Sequence, residues 1–492
     1  MKKTFSEVVG PNVRRSVFDR SHGYKTTMDA GKLVPFYVDE VIPGDTFKLR
    51  STIFARLATP QKPIMDNLKL DTHFFFIPNR LVQDTWPKLM GEQDNPGDSI
   101  DFQTPIANSG TGYANQSLQD YMGLPTQVAN YDHRNDFLRA YNLTWNQHFR
   151  DENLQDSVTV DKGDGPDDPA NYVLLDRGKR HDYFTACLPS PQKGTEVTLP
   201  LGTTAPVGRD TNSTNSAKIR IASTQAVWGP DAPVTFNTDS SGNLDASGTQ
   251  VMLDPNGSII ADLSNATAAS VNAMRLAVAT QQFLERDARG GTRYIELNYS
   301  HFGVMSLDSR TQRAEFLGSG TSNVNIHPVQ QQSEAGTTPQ GNLAAYGTVS
   351  AQAHGFTKSF TEHGIILGLM SVRADLTYQQ GLDRMWSRRT RFDFYFPEFA
   401  NLGEMPVLNK EIFTQGAAGG AADDQVFGYQ EHWAEYRYKP SKITGKFRSN
   451  DAASLDVWHL SQDFASVPTL GDTFIKETPP LDRADRDWET CL

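Results

Sequence analysis

Period-two alternation is the feature that most limits what this chain can become. In FKLRSTIFARL, Phe47, Leu49, Ile53, Ala55 and Leu57 share one parity, and Lys48, Arg50, Thr52 and Arg56 share the other, broken only by Phe54. Successive side chains of a strand point to opposite faces, so the segment predicts a strand with one buried and one solvated face. The next run places Leu68, Leu70, Phe74 and Phe76 on one face, and Pro78 ends it because proline cannot donate to a ladder. Towards the other end, RFDFYFP sets Phe392, Phe394 and Phe396 against Arg391, Asp393 and Tyr395, and LDVWHL (455–460) reads as a further short strand. Strands are therefore expected at both ends of the chain.

Two segments carry the helical period instead. Phe137, Tyr141, Trp145 and Phe149 recur every four residues, with Leu138 widening the stripe; Val271, Met274, Val278 and Leu284 mark a second face that Gly290-Gly291 would stop. Both stripes read as core. Between the helices, residues 194–265 are rich in Thr, Ser, Asn, Gly and Asp. A structureless loop of that length is foreign to a compact domain, so the short apolar runs at 218–221 and 251–253 suggest an inserted subdomain with a few strands of its own. GAAGGAADD at 416–424 is a shorter loop, and residues 1–30 read as a polar, basic arm. The order strands, helix, polar insertion, helix, strands fits a β-sandwich or jelly roll with helices in its loops better than an alternating β/α scheme.

Composition narrows the function. The 38 glycines and 27 prolines among 492 residues suit a fold of many turns, and 27 phenylalanines suit pleated, half-buried strands. A formal charge of −12 argues against a general nucleic-acid binder, so any DNA contact must rest on local basic patches. Cys187 and Cys491 have no metal-like spacing and no disulfide framework around them. MKKTFSEVVG lacks the apolar segment of a signal peptide, and the apolar runs at 74–77 and 365–370 are too short for a bilayer. The expectation is a cytosolic product or an assembled particle, with no membrane partner.

Catalytic signatures do not emerge. The eleven histidines include no HExxH, neither a phosphate loop nor a nucleophile elbow occurs, and Gly318–Gly320 is too short for a dinucleotide fingerprint. No catalytic residue, metal ligand or cofactor is expected, and His73 and His459 read as structural. One basic stretch stands out: Tyr436, Tyr438 and Phe447 alternate with Arg437, Lys439, Lys442, Lys446 and Arg448. Cations that track a backbone beside aromatic faces that stack bases suit single-stranded nucleic acid. The same residues suit an edge strand whose charges ward off pairing. The arm, with Lys2, Lys3, Arg14 and Arg15, reads either as a solvated tail or as a contact to nucleic acid or a neighbouring subunit.

Several long blocks carry a resemblance. RRSVFDRSHGYKTTMDAGKLVPFYVDEVIPGDTF, AYNLTWNQHFRDENLQ, KRHDYFTACLPSPQKG, RYIELNYSHFGV, SRTQRAEFLGSG, RMWSRRTRFDFYFPEFANLGEMPV and GYQEHWAEYRYKPSKITGKFRS lie in this order along almost the whole chain. They resemble the major capsid protein of the Microviridae, in particular the gokushovirus group of bacteriophages. Only 194–265 and 416–424 lack a counterpart.

The resemblance implies a mainly β fold, an eight-stranded antiparallel viral jelly roll with long helix-bearing insertions between strands. It implies pentamers and about sixty copies in a T=1 icosahedral shell around circular single-stranded DNA, a virion protein assembled in the host bacterial cytoplasm. It also implies a small basic DNA-packaging protein, with scaffolding and pilot proteins and a host surface receptor as further partners. The domains expected are the arm (1–30), a first core part with its loop helix (31–193), a variable insertion (194–265) and a second core part with the other loop helix (266–492). The insertion is expected to protrude at the three-fold axis for host attachment, with Asn212, Thr214, Asp239, Asn243 and Asp245 on its surface. The basic stretch from Tyr436 to Arg448 and the arm are expected to face the DNA. The rival reading is a glycan-binding or glycan-hydrolysing β-sandwich, which would share the strands and polar loops.

Overall fold

The computed structural model describes residues 15–99, 101–195, 271–291, 293–304, 312–333, 340–400 and 402–483, together with 197, 336 and six short strands between 207 and 261. Its backbone divides into two units, residues 1–191 with 287–492, and residues 192–286.

The first unit is mainly β. Its strands are β1 (Val34–Val41), β2 (Thr46–Arg56), β3 (Leu68–Pro78), β4 (Glu315–Asn323), β5 (Asn325–Gln330), β6 (Leu343–Ser359) and β7 (Gly364–Ala374). They form a four-stranded sheet in the order β1-β7-β3-β4 and a three-stranded sheet in the order β5-β6-β2, antiparallel throughout. The two sheets pack face to face. Phe74, Phe76, Ile366 and Val41 of the first meet Phe356, Phe47 and Leu49 of the second, with Phe360 just beyond it. Farther along, Leu70, Val34 and Met370 meet Val349, Ala351 and Ile53.

The expected alternation holds in β2, where Phe47, Leu49 and Ile53 turn inward and Lys48, Arg50 and Arg56 outward. In β3 the expected face of Leu68, Leu70, Phe74 and Phe76 is buried, yet so is the opposite one. Phe75 and Ile77 pack under a helix, α1 (Asp136–His148), through Leu138, Tyr141 and Trp145. A strand covered on both sides loses its polar face, and β7 shows the same as an almost unbroken apolar run. The Tyr141 hydroxyl donates to the Leu33 carbonyl (2.8 Å) and accepts from the Leu175 amide (3.0 Å), which fixes the helix on the sheet. In the second sheet, a Cβ on Gly355 would meet the carbonyl oxygen of Leu49, so β6 and β2 approach there only through glycine.

Two expected strands are absent. RFDFYFP forms a 3-10 turn, Arg391–Asp393, followed by extended coil, because the Asp393 carboxylate accepts from the amides of Arg389 and Thr390 and closes a turn. LDVWHL is a 3-10 turn at Asp456–Trp458; His459 after it is buried, with Nε2 2.6 Å from the Phe447 carbonyl. The basic stretch is no edge strand either, since only Ser441–Lys442 pairs, in parallel with Thr377–Tyr378.

The second predicted helix is present as α2 (Val271–Arg289), ending just before Gly290-Gly291, and α3 (Tyr294–Phe302) follows. The stripe of Val271, Met274, Val278 and Leu284 does not form core, because the first three are exposed and only Leu284 is half-buried, together with Ala273 and Ala277. In the second unit the runs expected to be strands pair with each other, Ile219–Ile221 with Val251–Leu253. Val207–Arg209 pairs with Ile259–Ala261, and Asn237–Thr238 with Leu244–Asp245. Asp245 closes that last strand, and Asn212, Thr214, Asp239 and Asn243 lie outside the described residues. No helix among the described residues is long and apolar enough to cross a membrane.

Candidate functional site

The basic stretch does not stand alone. Beside β8 (Glu404–Leu408) and β9 (Val426–Glu431), which pair antiparallel, the chain folds residues 384–399 against 433–438. Two acids, the buried Glu411 and the half-buried Glu435, hold the arrangement. Glu411 receives Arg384 Nη1 (3.2 Å) and the Tyr183 hydroxyl (2.9 Å), and burial raises its carboxyl above the usual range against the pull of Arg384. Glu435 receives Arg388 Nη2 at 3.0 Å, and the same guanidinium lies 4.4 Å from the centre of the Tyr436 ring. Trp433, at φ 65°, donates its indole N–H to the Phe399 carbonyl (3.1 Å) and meets Tyr395 edge to face at 5.7 Å.

What this scaffold presents is aromatic and cationic. Trp386 is 71% exposed and Phe392 70%, with Phe394, Tyr395, Tyr436 and Tyr438 each about half exposed. Residues 384–399 and 433–448 together contain nine Lys and Arg against three Asp and Glu, in a chain whose net charge is −12. Segment 384–399, of which 391–397 reads from sequence as a strand, thus supplies half of the surface. Its signal was visible as RMWSRRTRF, four arginines around a tryptophan, and the alternation of its phenylalanines concealed it.

The structure sorts the predicted DNA-contact residues. Tyr436 and Tyr438 are exposed on this surface. Arg437 pairs with Glu431 and Lys442 with Asp383, and Arg448 donates to the Gln379 carbonyl (3.0 Å). Lys439 and Lys446 are exposed and make no ion pair among the described residues. Arg15 lies apart from this surface, bonded to the Gly44 carbonyl, while Lys2, Lys3 and Arg14 lie outside the described residues.

The titratable groups inside the fold are structural. His73 is pushed down to about 3 by burial and by the Arg177 guanidinium, whose Nη1 sits 2.8 Å from its Nε2. Cys187 is buried, and burial raises its thiol well above the ordinary value. Among the described residues no group of three or more His, Cys, Asp or Glu side chains is placed to hold a metal ion.

A sandwich core that leaves Trp386, Phe392 and their aromatic neighbours exposed suits a protein that associates through its surface, and the comparisons name its kind. A family model described as capsid protein (F protein) matches residues 6–486. Capsid protein VP1 of Bdellovibrio phage phiMH2K is 48% identical over 491 residues, covering 98% of this chain and 91% of the relative. VP1 of Chlamydia phage 1 is 44% identical, covering 98% of this chain and 93% of the relative, and VP1 of Spiroplasma virus 4 is 35% identical, covering 96% and 89%. The chain belongs to this phage capsid family, a structural family and not one of enzymes. A capsid protein assembles with its own copies into the shell of a virion.

Proposed function

We propose that this chain is the major shell subunit of a gokushovirus-like phage, with about sixty copies closing a T=1 icosahedron around circular single-stranded DNA. The near-complete match to three VP1 proteins carries the reading. In it, the two sheets form the body of an eight-stranded jelly roll. Residues 194–265 protrude at the three-fold axis and engage a host receptor, since their Ser, Thr and Asn content suits an exposed projection. Sixty chains of −12 cannot neutralise a genome, so a small basic packaging protein accompanies the DNA, and scaffolding and pilot proteins serve assembly and entry.

The aromatic surface at 384–399 and 433–448 is assigned to the interior, where Tyr436, Tyr438 and Trp386 stack bases and Lys439, Lys446 and Arg389 neutralise phosphate. A neighbouring copy is the second reading, favoured by the exposure of Trp386 and Phe392, since aromatics and Arg concentrate at interface centres. Imaging of purified particles tests both. Density for nucleic acid against Tyr436 supports the first reading, a protein chain seated there supports the second, and a stable monomer or dimer in the presence of DNA and assembly partners overturns the shell itself.

A further inference from the structure

Two surface patches of the first unit carry opposite charge. β2 is the edge of its sheet, and among the described residues no strand pairs with its outer edge. Lys48, Arg50 and Arg56 stand exposed along it and make no ion pair among the described residues. On the inward parity Phe47, Leu49 and Ile53 are only half-buried, and they form one wall of a cleft of about 1690 Å3. Residues 15–27 bound the far side and add Arg15, Arg20 and Lys25 to its lining. Segments 15–27 and 46–57 together hold six Arg and Lys against one Asp, in a chain whose net charge is −12.

The second patch is a lobe that follows β3. Its segments 84–101 and 161–168 hold nine Asp and Glu against two Lys. Hydrogen bonds tie the two segments together. The Gln83 side-chain amide donates to the Gln103 carbonyl (2.7 Å) and to the Asp164 carboxylate (2.9 Å), and the Asp84 amide donates to the Lys162 carbonyl (3.0 Å). Asp167 is buried against Arg139, but Asp84, Glu92, Asp101 and Asp168 are exposed and make no ion pair among the described residues. Beside them a single helical turn, Trp86–Leu89, leads to Met90, which is 51% exposed.

We infer that these patches meet between copies, the basic cleft of one subunit receiving the acidic lobe of the next. The fold makes the contact intermolecular. Leu81 and Val82, at the root of the lobe, pack under α1 on the outer side of the first sheet, whereas β2 belongs to the second sheet across the sandwich. The first sheet stands between the two patches, so a second copy has to supply the partner.

Charge decides which surface of that copy it is. Pairing β2 with another β2 would crowd their cations along one edge, which is how an edge strand wards off its own kind. Pairing lobe with lobe would crowd carboxylates in the same way. Cleft against lobe sets cation against carboxylate and fixes the orientation of approach. Met90 and Leu89 then meet Phe47, Leu49 and Ile53, which gives the contact an apolar centre inside a charged rim. Because the two surfaces differ, the contact runs head to tail, the kind that closes copies into a ring. The inference needs only that copies associate, as the family does, and not the T=1 arrangement.

Charge reversal tests it. Lys48→Glu with Arg50→Glu, and separately Glu92→Lys with Asp101→Lys, should each lower the yield of assembled particles at least about tenfold in sedimentation. All four substitutions in one chain should restore the yield to within about threefold. Unchanged yield in either pair, or a fourfold variant no better than the pairs while its subunit still unfolds at the native midpoint, overturns the inference. If reversal on β2 lowers the DNA content of particles and not their yield, the cleft holds nucleic acid and the inference falls.

Crosslinking gives a reading that needs no variant. In particles built from a mixture of isotopically light and heavy chains, a carbodiimide should join Lys25 or Lys48 of one chain to a carboxylate within residues 92–101 or 161–168 of another, read by peptide mass. Links between chains that never join the cleft to the lobe, or cleft-to-lobe links found only within one chain, overturn it.

Discussion

Arg139 and Asp167 form a buried pair in which the guanidinium Nε lies 2.6 Å from the carboxylate, neither side chain reaching solvent appreciably. Arg139 Nη1 also donates to the carbonyls of Val82 (2.9 Å) and Gly163 (2.7 Å), so one side chain on α1 ties down two loops. Asp167 in turn accepts from Tyr172 (2.9 Å) and from Asn135. Burial alone would raise this carboxyl; the bonds from Arg139, Asn135 and Tyr172 outweigh it and hold it below the usual range. Removing one partner strands a buried charge, so Asp167→Ala should cost about 3–5 kcal/mol. Urea unfolding of the purified subunit measures it, and a loss under about 1 kcal/mol would mean the network is dispensable.

The same depressed carboxyl predicts acid sensitivity. Its stabilising contribution is complete above the unfolded-state value near 4 and is lost as pH falls through the lower folded-state value. Asp167→Asn should therefore flatten the decline in stability below about pH 4 relative to the native chain. Unfolding midpoints taken at intervals from pH 6 to pH 2.5 follow it.

His73 acts over a different range. With its folded-state value pushed down to about 3, it stays neutral in the fold while the unfolded chain takes up a proton near pH 6.5. Stability from this group is full above about pH 6.5 and drains as pH falls towards about 3. His73→Gln should lower stability at neutral pH and remove part of the slope between about pH 6.5 and 4. An unchanged slope would assign that pH dependence elsewhere.

Phe74 lies at the centre of the inter-sheet core, fully buried, with ring centroids 5.6 Å from both Phe36 and Phe356. Phe74→Ala should cost about 3–5 kcal/mol. The exposed Trp386 makes the contrast: Trp386→Ala should change subunit stability by about 0.5 kcal/mol or less. It should nevertheless reduce the yield of closed particles or their DNA content, measured by sedimentation and by absorbance ratio.

The sequence by itself determined the alternation of β2, the stripe of α1, the pairing runs inside the insertion and, through its long ordered blocks, the family. These are local signals, since one buried face writes a period of two into a strand and a period near 3.6 into a helix. Tertiary structure decided what a period cannot express. β3 and β7 lost their polar faces because a helix covers one side and a second sheet the other. RFDFYFP alternates as a strand does, yet Asp393 closes it into a turn, so its aromatics join Tyr436 and Tyr438 from a segment some forty residues away. Val271, Met274 and Val278 show the converse, an apolar stripe left uncovered because the helix turns its alanines inward. Burial depends on which elements meet, and that is a property of the assembled chain.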